Sequence, residues 1–301
     1  MAQPGVCAIV VNWNGKAVLD RCLATLSASD YPQLEIVVVD NASDDGSRDL
    51  VRAGFPSAHL IECRENLGYA AGANSGLMHA LRTGADYALV LNNDIEIAPD
   101  AVTRLVEALE ARAKASFAGP MIYYYDPPDL IWSLGGRISY WSGDIRHVAI
   151  RERDEDRYRT VREADYVTGC AIMARTAAIR EIGLMDEGYW MYNEDTDWCV
   201  RATERGHAVL VVPAAKVWHK VSTSSGGGLT PYKVYHRLRS TLRFFGLHAR
   251  PYHWLGIVPA TAARALAFAV SQLIAGRREN ALAMFRGARD SALRRGRSAG
   301  G

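Results

Sequence analysis

An α/β fold with a mostly parallel sheet and helices on both faces is what this 301-residue sequence predicts, followed by a basic helical C-terminal extension. Three observations carry that reading. Short apolar, β-branched runs alternate with stretches of helical apolar spacing, the order that strand–helix–strand units impose. Each run ends in a polar cluster, at what would be the carboxyl edge of the sheet, where such folds bind ligands. The charge is also split along the chain: residues 233–301 hold 13 Lys and Arg against 2 Asp and Glu, a net +11, whereas residues 1–232 carry a net −9. The expected division is an α/β domain over 1–232 and a basic region over 233–301.

Taken in order, Val6 to Val11 is a strand-length apolar run that stops at Asn12-Trp13-Asn14-Gly15. From Lys16 the spacing of Val18, Leu19, Cys22, Leu23 and Leu26 becomes helical. Ile36 to Val39 is a second strand, stopped by Asp40-Asn41-Ala42-Ser43-Asp44-Asp45-Gly46, which offers several caps to a helix over 47–53. His59 to Cys63 reads as a third strand and Ala73 to Leu81 as a helix. Tyr87 to Leu91 is a fourth strand ending in Asn92-Asn93-Asp94, and Pro99 and Asp100 open a helix to about Ala115. The pattern loosens over 123–156, where the charge run Arg151 to Arg157 reads as a solvated loop. Regular character returns at 166–174, 176–182, 195–205 and 208–212.

With 49% apolar and 23% charged residues, the composition excludes collagen-like, disulfide-dense and disordered chains. Five scattered cysteines without a C-x-x-C pair predict reduced thiols and a cytoplasmic setting. The N-terminus, without a basic n-region, does not read as a secretory signal.

Four clusters offer chemistry. Asp94, after an apolar strand, can present oxygen to a hard divalent ion, and continued strand geometry would point residues 92, 94 and 96 one way; the alternative is an Asx-rich turn. Asp40 can accept a hydrogen bond from a base or ribose, or simply cap a helix. Gly68, Gly72 and Gly76 in Asn66-Leu67-Gly68-Tyr69-Ala70-Ala71-Gly72-Ala73-Asn74-Ser75-Gly76 fit neither a P-loop nor G-x-G-x-x-G; the spacing serves close helix packing or a phosphate cradle. Glu194-Asp195-Thr196-Asp197, beside Tyr189-Trp190-Met191-Tyr192, gathers three carboxylates whose repulsion asks for a cation or a catalytic role. A general base there needs a pKa low enough to stay ionised. His219, in Val217-Trp218-His219, becomes a metal-ligand candidate only in company with Asp94.

These pieces, with Gly169-Cys170-Ala171-Ile172-Met173 and Gly183-Leu184-Met185-Asp186-Glu187, occur in an order that resembles family 2 glycosyltransferases, most closely the bacterial rhamnosyltransferase and galactofuranosyltransferase branch. The resemblance covers about residues 6–220. It implies a GT-A fold, a nucleotide-diphospho-sugar donor (a dTDP- or UDP-sugar, with rhamnose one candidate), Mg²⁺ or Mn²⁺, and inversion in a single displacement onto a glycan or lipid-linked acceptor in cell-surface polysaccharide synthesis. By matching positions, Asn12, Asp40, Asn66, Asn74, Asn92 and Asn93 would bind the donor, Asp40 by reading the base. Asp94 and His219 would hold the metal. Asp195 would be the general base, with Glu194 and Asp197 orienting base or acceptor. The first carboxylate of the family's D-x-D is Asn92 here, so the metal site carries less negative charge.

Ser222 to Gly228 reads as a linker or an active-site lid. Beyond it, the apolar stretch 252–275, broken by Pro259 and Arg264, suits helices lying on an anionic membrane surface better than a span; a packing cap or a dimer interface is the alternative. The protein would then be cytoplasmic or peripheral on the cytoplasmic face of the membrane. The arginines lack an aromatic platform for nucleic acid. Two competing classes remain, a sugar nucleotidyltransferase and a non-catalytic nucleotide- or anion-binding module; the former would want a Gly-rich basic loop after the first strand, where the chain has one glycine and one lysine.

Overall fold

The computed structural model describes residues 3–220 and 228–298, with side chains described to 291; all but Gly228 of the Ser222–Gly228 stretch lies outside these. The elements are β1 (Val6–Asn12), α1 (Lys16–Ser27), β2 (Leu34–Asp40), α2 (Ser47–Gly54), β3 (His59–Glu62), α3 (Tyr69–Thr83), β4 (Tyr87–Asn92), β5 (Ile95–Ile97), α4 (Ala101–Glu110), β6 (Ala115–Tyr124), β7 (Ile131–Ser133), β8 (Gly136–Ser139), β9 (Asp144–His147), β10 (Arg162–Glu163), β11 (Ala171–Arg175), α5 (Thr176–Ile182), α6 (Glu194–Glu204), β12 (Ala208–His219), α7 (Pro231–His248), α8 (Trp254–Ile274) and α9 (Arg278–Ser298). They form two compact units. One comprises Met1–Arg137, His147–Gly188 and Glu194–Ser224; the other comprises Ile138–Arg146, Tyr189–Asn193 and Ser225–Gly301.

In the first unit the sheet runs β10-β12-β6-β11-β4-β1-β2-β3. β4, β1, β2 and β3 are parallel, as are β6 and β12, and β11 lies antiparallel between β4 and β6. β1 is buried along its whole length, which requires cover on both faces. Val6, Ala8 and Val10 join one cluster with Leu19, Leu23 and Leu26 of α1 and Val102, Leu105 and Leu109 of α4. The alternate residues Ile9 and Val11 face α3, where a Cβ on Gly76 would meet Ile9 at 2.2 Å and one on Gly72 would meet Val11 at 3.2 Å. The glycine spacing at these two positions therefore serves close helix packing.

Several expectations change. The helix expected to reach Ala115 ends at Glu110, and Ala115 instead opens β6, a buried strand that Gly119 and Pro120 disguise in the sequence. Proline cannot donate to a ladder. The accommodation is visible on β12, where the register jumps between Val212 and Lys216 opposite Pro120 and Met121. Within 123–156 lie β7, β8 and β9, although the charge run there is exposed as expected and knitted by pairs such as Arg153–Asp129 at 2.5 Å. α3 begins at Tyr69 rather than Ala73.

In the second unit, α7 opens with Pro231 behind Thr230, whose hydroxyl accepts from Lys233 N at 3.3 Å, so the expected boundary at 232 falls inside a helix. Val234, Ala269, Ala281, Ala283 and Met284 give α7, α8 and α9 a small shared core. The apolar stretch expected to be broken is one continuous helix, and Pro251–Ile274 is long and apolar enough to cross a membrane. Pro259 lies inside the helix, in its second turn, where it forfeits one backbone hydrogen bond without ending the helix.

Gly76→Ala is expected to destabilise the protein by about 1–3 kcal/mol, overpacking outweighing the gain of about 1 kcal/mol in helix propensity. Gly54→Ala, at the open end of α2 with nothing within 4 Å of a Cβ, is expected to be neutral or stabilising. Chemical denaturation of both variants checks the pair; a Gly76→Ala protein as stable as wild type would remove α3 packing as the reason for that glycine.

Candidate active site

Parallel register brings three strand ends together. Asn12 lies opposite Asp40, and Val11 opposite Asn92, so Asn12, Asp40 and Asn92 line the carboxyl edge of the sheet. Asn12 Nδ2 donates to Asp40 Oδ2 and Ser43 Oγ, both at 3.1 Å, while its Oδ1 accepts from Asn93 Nδ2 at 2.7 Å. Asp40 Oδ1 accepts from Arg48 Nε at 2.7 Å and from Ser43 N at 2.9 Å. Burial alone would raise this carboxyl; the Ser43, Arg48 and Asn12 donors outweigh it and hold the pKa below the usual carboxylate range.

The neighbouring loop is fixed by Asn41. Its amide donates to Asn66 Oδ1 and Gly68 O and accepts from Leu67 N, all at 3.0 Å. Asn66 thus stands beside Asn41 at the edge. Asn74 does not: it is buried, its Nδ2 donates to Met185 O and Glu187 Oε1 at 2.9 Å, and its Oδ1 accepts from Met185 N at 3.0 Å. Its amide is consumed in clamping the 185–187 loop, so the expectation that Asn74 lines the donor site gives way to a structural role.

A turn at 93–94 interrupts the strand after Asn92, so residues 92, 94 and 96 do not follow one strand alternation. Instead β5 pairs with β12, setting Ile95 opposite His219. Asp94 Oδ1 and His219 Nε2 lie 3.2 Å apart, both side chains almost fully buried. Asp94 Oδ1 nonetheless meets no hydrogen-bond geometry, and His219 Nδ1 has no hydrogen-bond partner. Burial would favour a neutral ring, but the Cys170 sulfur and the Asp94 carboxylate beside it push the His219 pKa up to about 10. Trp132 meets the imidazole edge-on at 4.6 Å between centroids.

An orphaned buried carboxylate oxygen next to an imidazole is a donor set that suits a divalent ion, which would have to displace the imidazole's proton. Among the described residues no group of three or more His, Cys, Asp or Glu converges to complete a metal cage. Asp94 and His219 alone would be two protein ligands, and Mg²⁺ is commonly held by few protein groups together with substrate phosphates and water.

Asp195 sits in the first turn of α6, behind Tyr192 and Asn193, whose φ values of 70° and 65° turn the chain into the helix. Gly169 N donates to Asp195 Oδ2 at 2.6 Å, Thr196 N to Oδ1 at 2.6 Å, and Thr196 Oγ1 to Oδ1 at 3.1 Å. Tyr69 Oη donates to Gly169 O at 2.6 Å, fixing the peptide whose amide aims the carboxylate. Burial raises the Asp195 carboxyl, and the Gly169, Thr196 and Thr168 donors pull it back without cancelling the rise. The pKa therefore lies above the usual carboxylate range, where a low one was expected. Glu194 is buried, with Oε2 unpartnered; burial first, then Asp195 and Asp197, push its carboxyl well up. Asp197 Oδ2 accepts from Arg201 Nε at 2.8 Å, and Arg201 also donates to Ile182 O and Leu184 O.

The two carboxylate centres meet around Cys170: Asn92 N donates to Cys170 O at 3.0 Å, Gly169 holds Asp195, and the Cys170 thiol, raised chiefly by burial, feels His219, Asp94 and Asp195. Asn41, Arg48, Tyr69, Gly169 and Trp132 are the participants to which the sequence assigned no role. Asn41 and Gly169 stood inside quoted motifs, so their signal was present; Arg48 and Trp132 are legible only in three dimensions.

The glycosyl transferase family 2 model matches residues 7–182. The chain is 25% identical over 240 residues, 72% of its length and 76% of the relative's, to the N-acetylglucosaminyl-diphospho-decaprenol L-rhamnosyltransferase of Mycobacterium tuberculosis. It is 24% identical over 244 residues, 77% of each protein, to the dTDP-rhamnosyl transferase RfbF of Shigella flexneri. Among solved structures, the mannosyltransferase PcManGT of Pyrobaculum calidifontis, in complex with GDP-Man and Mn²⁺, aligns with a TM-score of 0.61 at 20% identity, covering 100% of this chain and 77% of that one. The mixed sheet with its polar carboxyl edge is a GT-A fold, and the chain belongs to glycosyl transferase family 2.

Proposed function

We propose that this protein transfers a sugar, with inversion, from a nucleotide-diphospho-sugar to a hydroxyl of a glycan or lipid-linked acceptor, with Asp195 as the general base. The observation that carries the reading is the pairing around Cys170 of two differently prepared carboxylates: Asp94, with an orphaned oxygen beside His219, and Asp195, aimed by the amides of Gly169 and Thr196. In an inverting displacement the leaving diphosphate and the acceptor proton depart on opposite faces of the sugar, so two separate centres are required. Asp94 and His219 would hold a divalent ion, which supplies Lewis-acid stabilisation of the diphosphate leaving group when bound. Asn12, Asn93 and the Asp40–Ser43 turn offer fixed polar groups to a nucleoside, with Asn66 and Asn92 flanking it. Glu194, whose carboxyl burial pushes well up, and Asp197, tied to Arg201, shape the surroundings of the base.

A raised Asp195 pKa makes a stronger base than an ordinary carboxylate once it is ionised. The dTDP-rhamnosyl donor named for one relative and the N-acetylglucosaminyl-diphospho-decaprenol named for another make a dTDP-sugar, with rhamnose first and a UDP-sugar second, the donor to test, with a lipid-linked acceptor in cell-surface polysaccharide synthesis. Such an acceptor, and five free thiols, fit a catalytic domain over about 1–232 working at the cytoplasmic face of a membrane, with the basic region from 233 turned to the lipid.

Asp195→Asn is expected to lower kcat by roughly 10²- to 10⁴-fold while donor affinity stays near wild type. Transfer assays with calorimetry check this; normal turnover of Asp195→Asn alongside a dead Asp197→Asn would shift the base by two residues. The product should be free nucleoside diphosphate; release of pyrophosphate would instead indicate a nucleotidyltransferase.

Because the base must be ionised, kcat/KM is expected to rise with pH through the elevated Asp195 pKa and then level off. A pH profile with no acid limb above the ordinary carboxylate range would remove Asp195 from that role.

Asp94→Ala is expected to weaken Mn²⁺-dependent binding of nucleoside diphosphate by at least the roughly 10- to 100-fold that loss of a metal's supporting groups costs, and by more than Asn92→Ala. Equal calorimetric affinities for wild type and Asp94→Ala would reject the metal assignment.

A further inference from the structure

The second unit carries an apolar face that its own packing does not use. On α8, Leu255 is 80% exposed, Leu266 65% and Ile274 83%, and Val258, Val270 and Leu273 are also exposed. At 100° per residue these positions, with Pro259 and Ala262, fall within an arc of about 160° on a helix about 31 Å long. Arg264, the helix's one charged residue, turns away from that arc and donates to Ser142 O at 2.7 Å and Gly143 O at 2.9 Å in the tip of the β8–β9 hairpin. Only Ile257, on the side away from the arc, and Ala269, at its margin, are buried on this helix; Ala267 and Ser271 are exposed. Leu282 and Phe285 of α9 are likewise exposed.

The ends of the face are chemically distinct. At the start of α8, Trp141 of the hairpin tip, 62% exposed, packs beside the exposed Tyr252 with centroids 5.8 Å apart. Past its last turn come the exposed Arg277 and Arg278, with Arg286 and Arg289 exposed on α9. Amphipathic aromatic rings and arginines around a purely apolar strip match the layered chemistry of an anionic bilayer surface. A protein partner would need an apolar groove ringed with acid, whereas lipid supplies both elements at once. The helix does not stand upright in the membrane, because it shares a core with α9, and a span would carry Glu279, Arg286, Arg289 and Asp290 into hydrocarbon.

We propose that α8 and α9 form an in-plane membrane anchor: the Leu255–Ile274 strip, with Leu282 and Phe285, enters the boundary between headgroups and acyl chains, Trp141 and Tyr252 sit at the interface, and the four arginines meet lipid phosphates. The proposal rests on the glycosyl-transfer reading only for its purpose, which is to hold the enzyme beside a lipid-linked acceptor.

Flotation of the full-length protein with vesicles of phosphatidylcholine, alone or mixed with phosphatidylglycerol, tests it. Binding should require the anionic lipid and fall with added salt. Arg277→Gln and Arg278→Gln should each weaken vesicle affinity about fivefold, and Leu266→Glu combined with Val270→Glu by more than about tenfold. Donor hydrolysis in solution should persist in each variant, which reports that the fold is intact. Absence of flotation with anionic vesicles, indifference to lipid charge and salt, or variants that float as wild type would each overturn the proposal. So would a dimer in light scattering that Leu266→Glu with Val270→Glu dissolves, which assigns the strip to a second copy. Flotation without turnover of any nucleotide-sugar would instead reject the glycosyl-transfer reading and leave the anchor standing.

Discussion

The burial of β1 on both faces is the constraint from which the candidate site follows. A strand covered by α1 and α4 on one side and α3 on the other cannot slip by one residue, because slippage would exchange Val6, Ala8 and Val10 for Cys7, Ile9 and Val11 between two differently shaped surfaces. With β1 locked, its register with β2 and β4 sets Asn12 beside Asp40 and Val11 beside Asn92. The polar edge inherits its precision from the apolar run Val6–Val11 behind it.

Electrostatics then sorts the carboxylates at that edge. Asp40 and Asp197 are neutralised by Arg48 and Arg201, cations that also donate to backbone carbonyls and so hold the chain in place. Asp195 is stabilised only by neutral amides and hydroxyls, and Asp94 faces an imidazole that can surrender its proton. An arginine holds a permanent countercharge against its partner, whereas neutral donors and a histidine do not. Glu194 has no cation beside it, and burial pushes its carboxyl well above the usual range.

Much of this is legible in the sequence where local signals agree with the fold. The helical spacing of Val18, Leu19, Cys22, Leu23 and Leu26 matches the buried face of α1, and the apolar runs before Asn12, Asp40 and Asn92 match β1, β2 and β4. β6 is illegible because Gly119 and Pro120 break the local strand signal, while the register jump on β12 that accommodates them lies about ninety residues away. The packing role of Gly76 is readable from spacing, but the clamping role of Asn74 is not, since its partners Met185 and Glu187 are distant in sequence. The upward shift at Asp195 was equally out of reach: motif chemistry names a carboxylate, and only packing decides how much water it keeps.

The antiparallel placement of β11 has a consequence for how this chain can vary. β6 runs parallel to β4, so Tyr124 leaves the sheet at its polar edge, and because β11 runs the other way, Ala171 re-enters at that same edge. The whole excursion from 125 to 170 therefore has both feet planted beside the candidate site, and its strands β7 to β10 add only to β6, to β12 and to a separate hairpin, not to the run β6-β11-β4-β1-β2-β3. Closing such a loop depends only logarithmically on its length, about 0.6 kcal/mol for each doubling. The sheet can thus accommodate a segment of very different size between 125 and about 165 while Gly169 and Cys170 keep their seats.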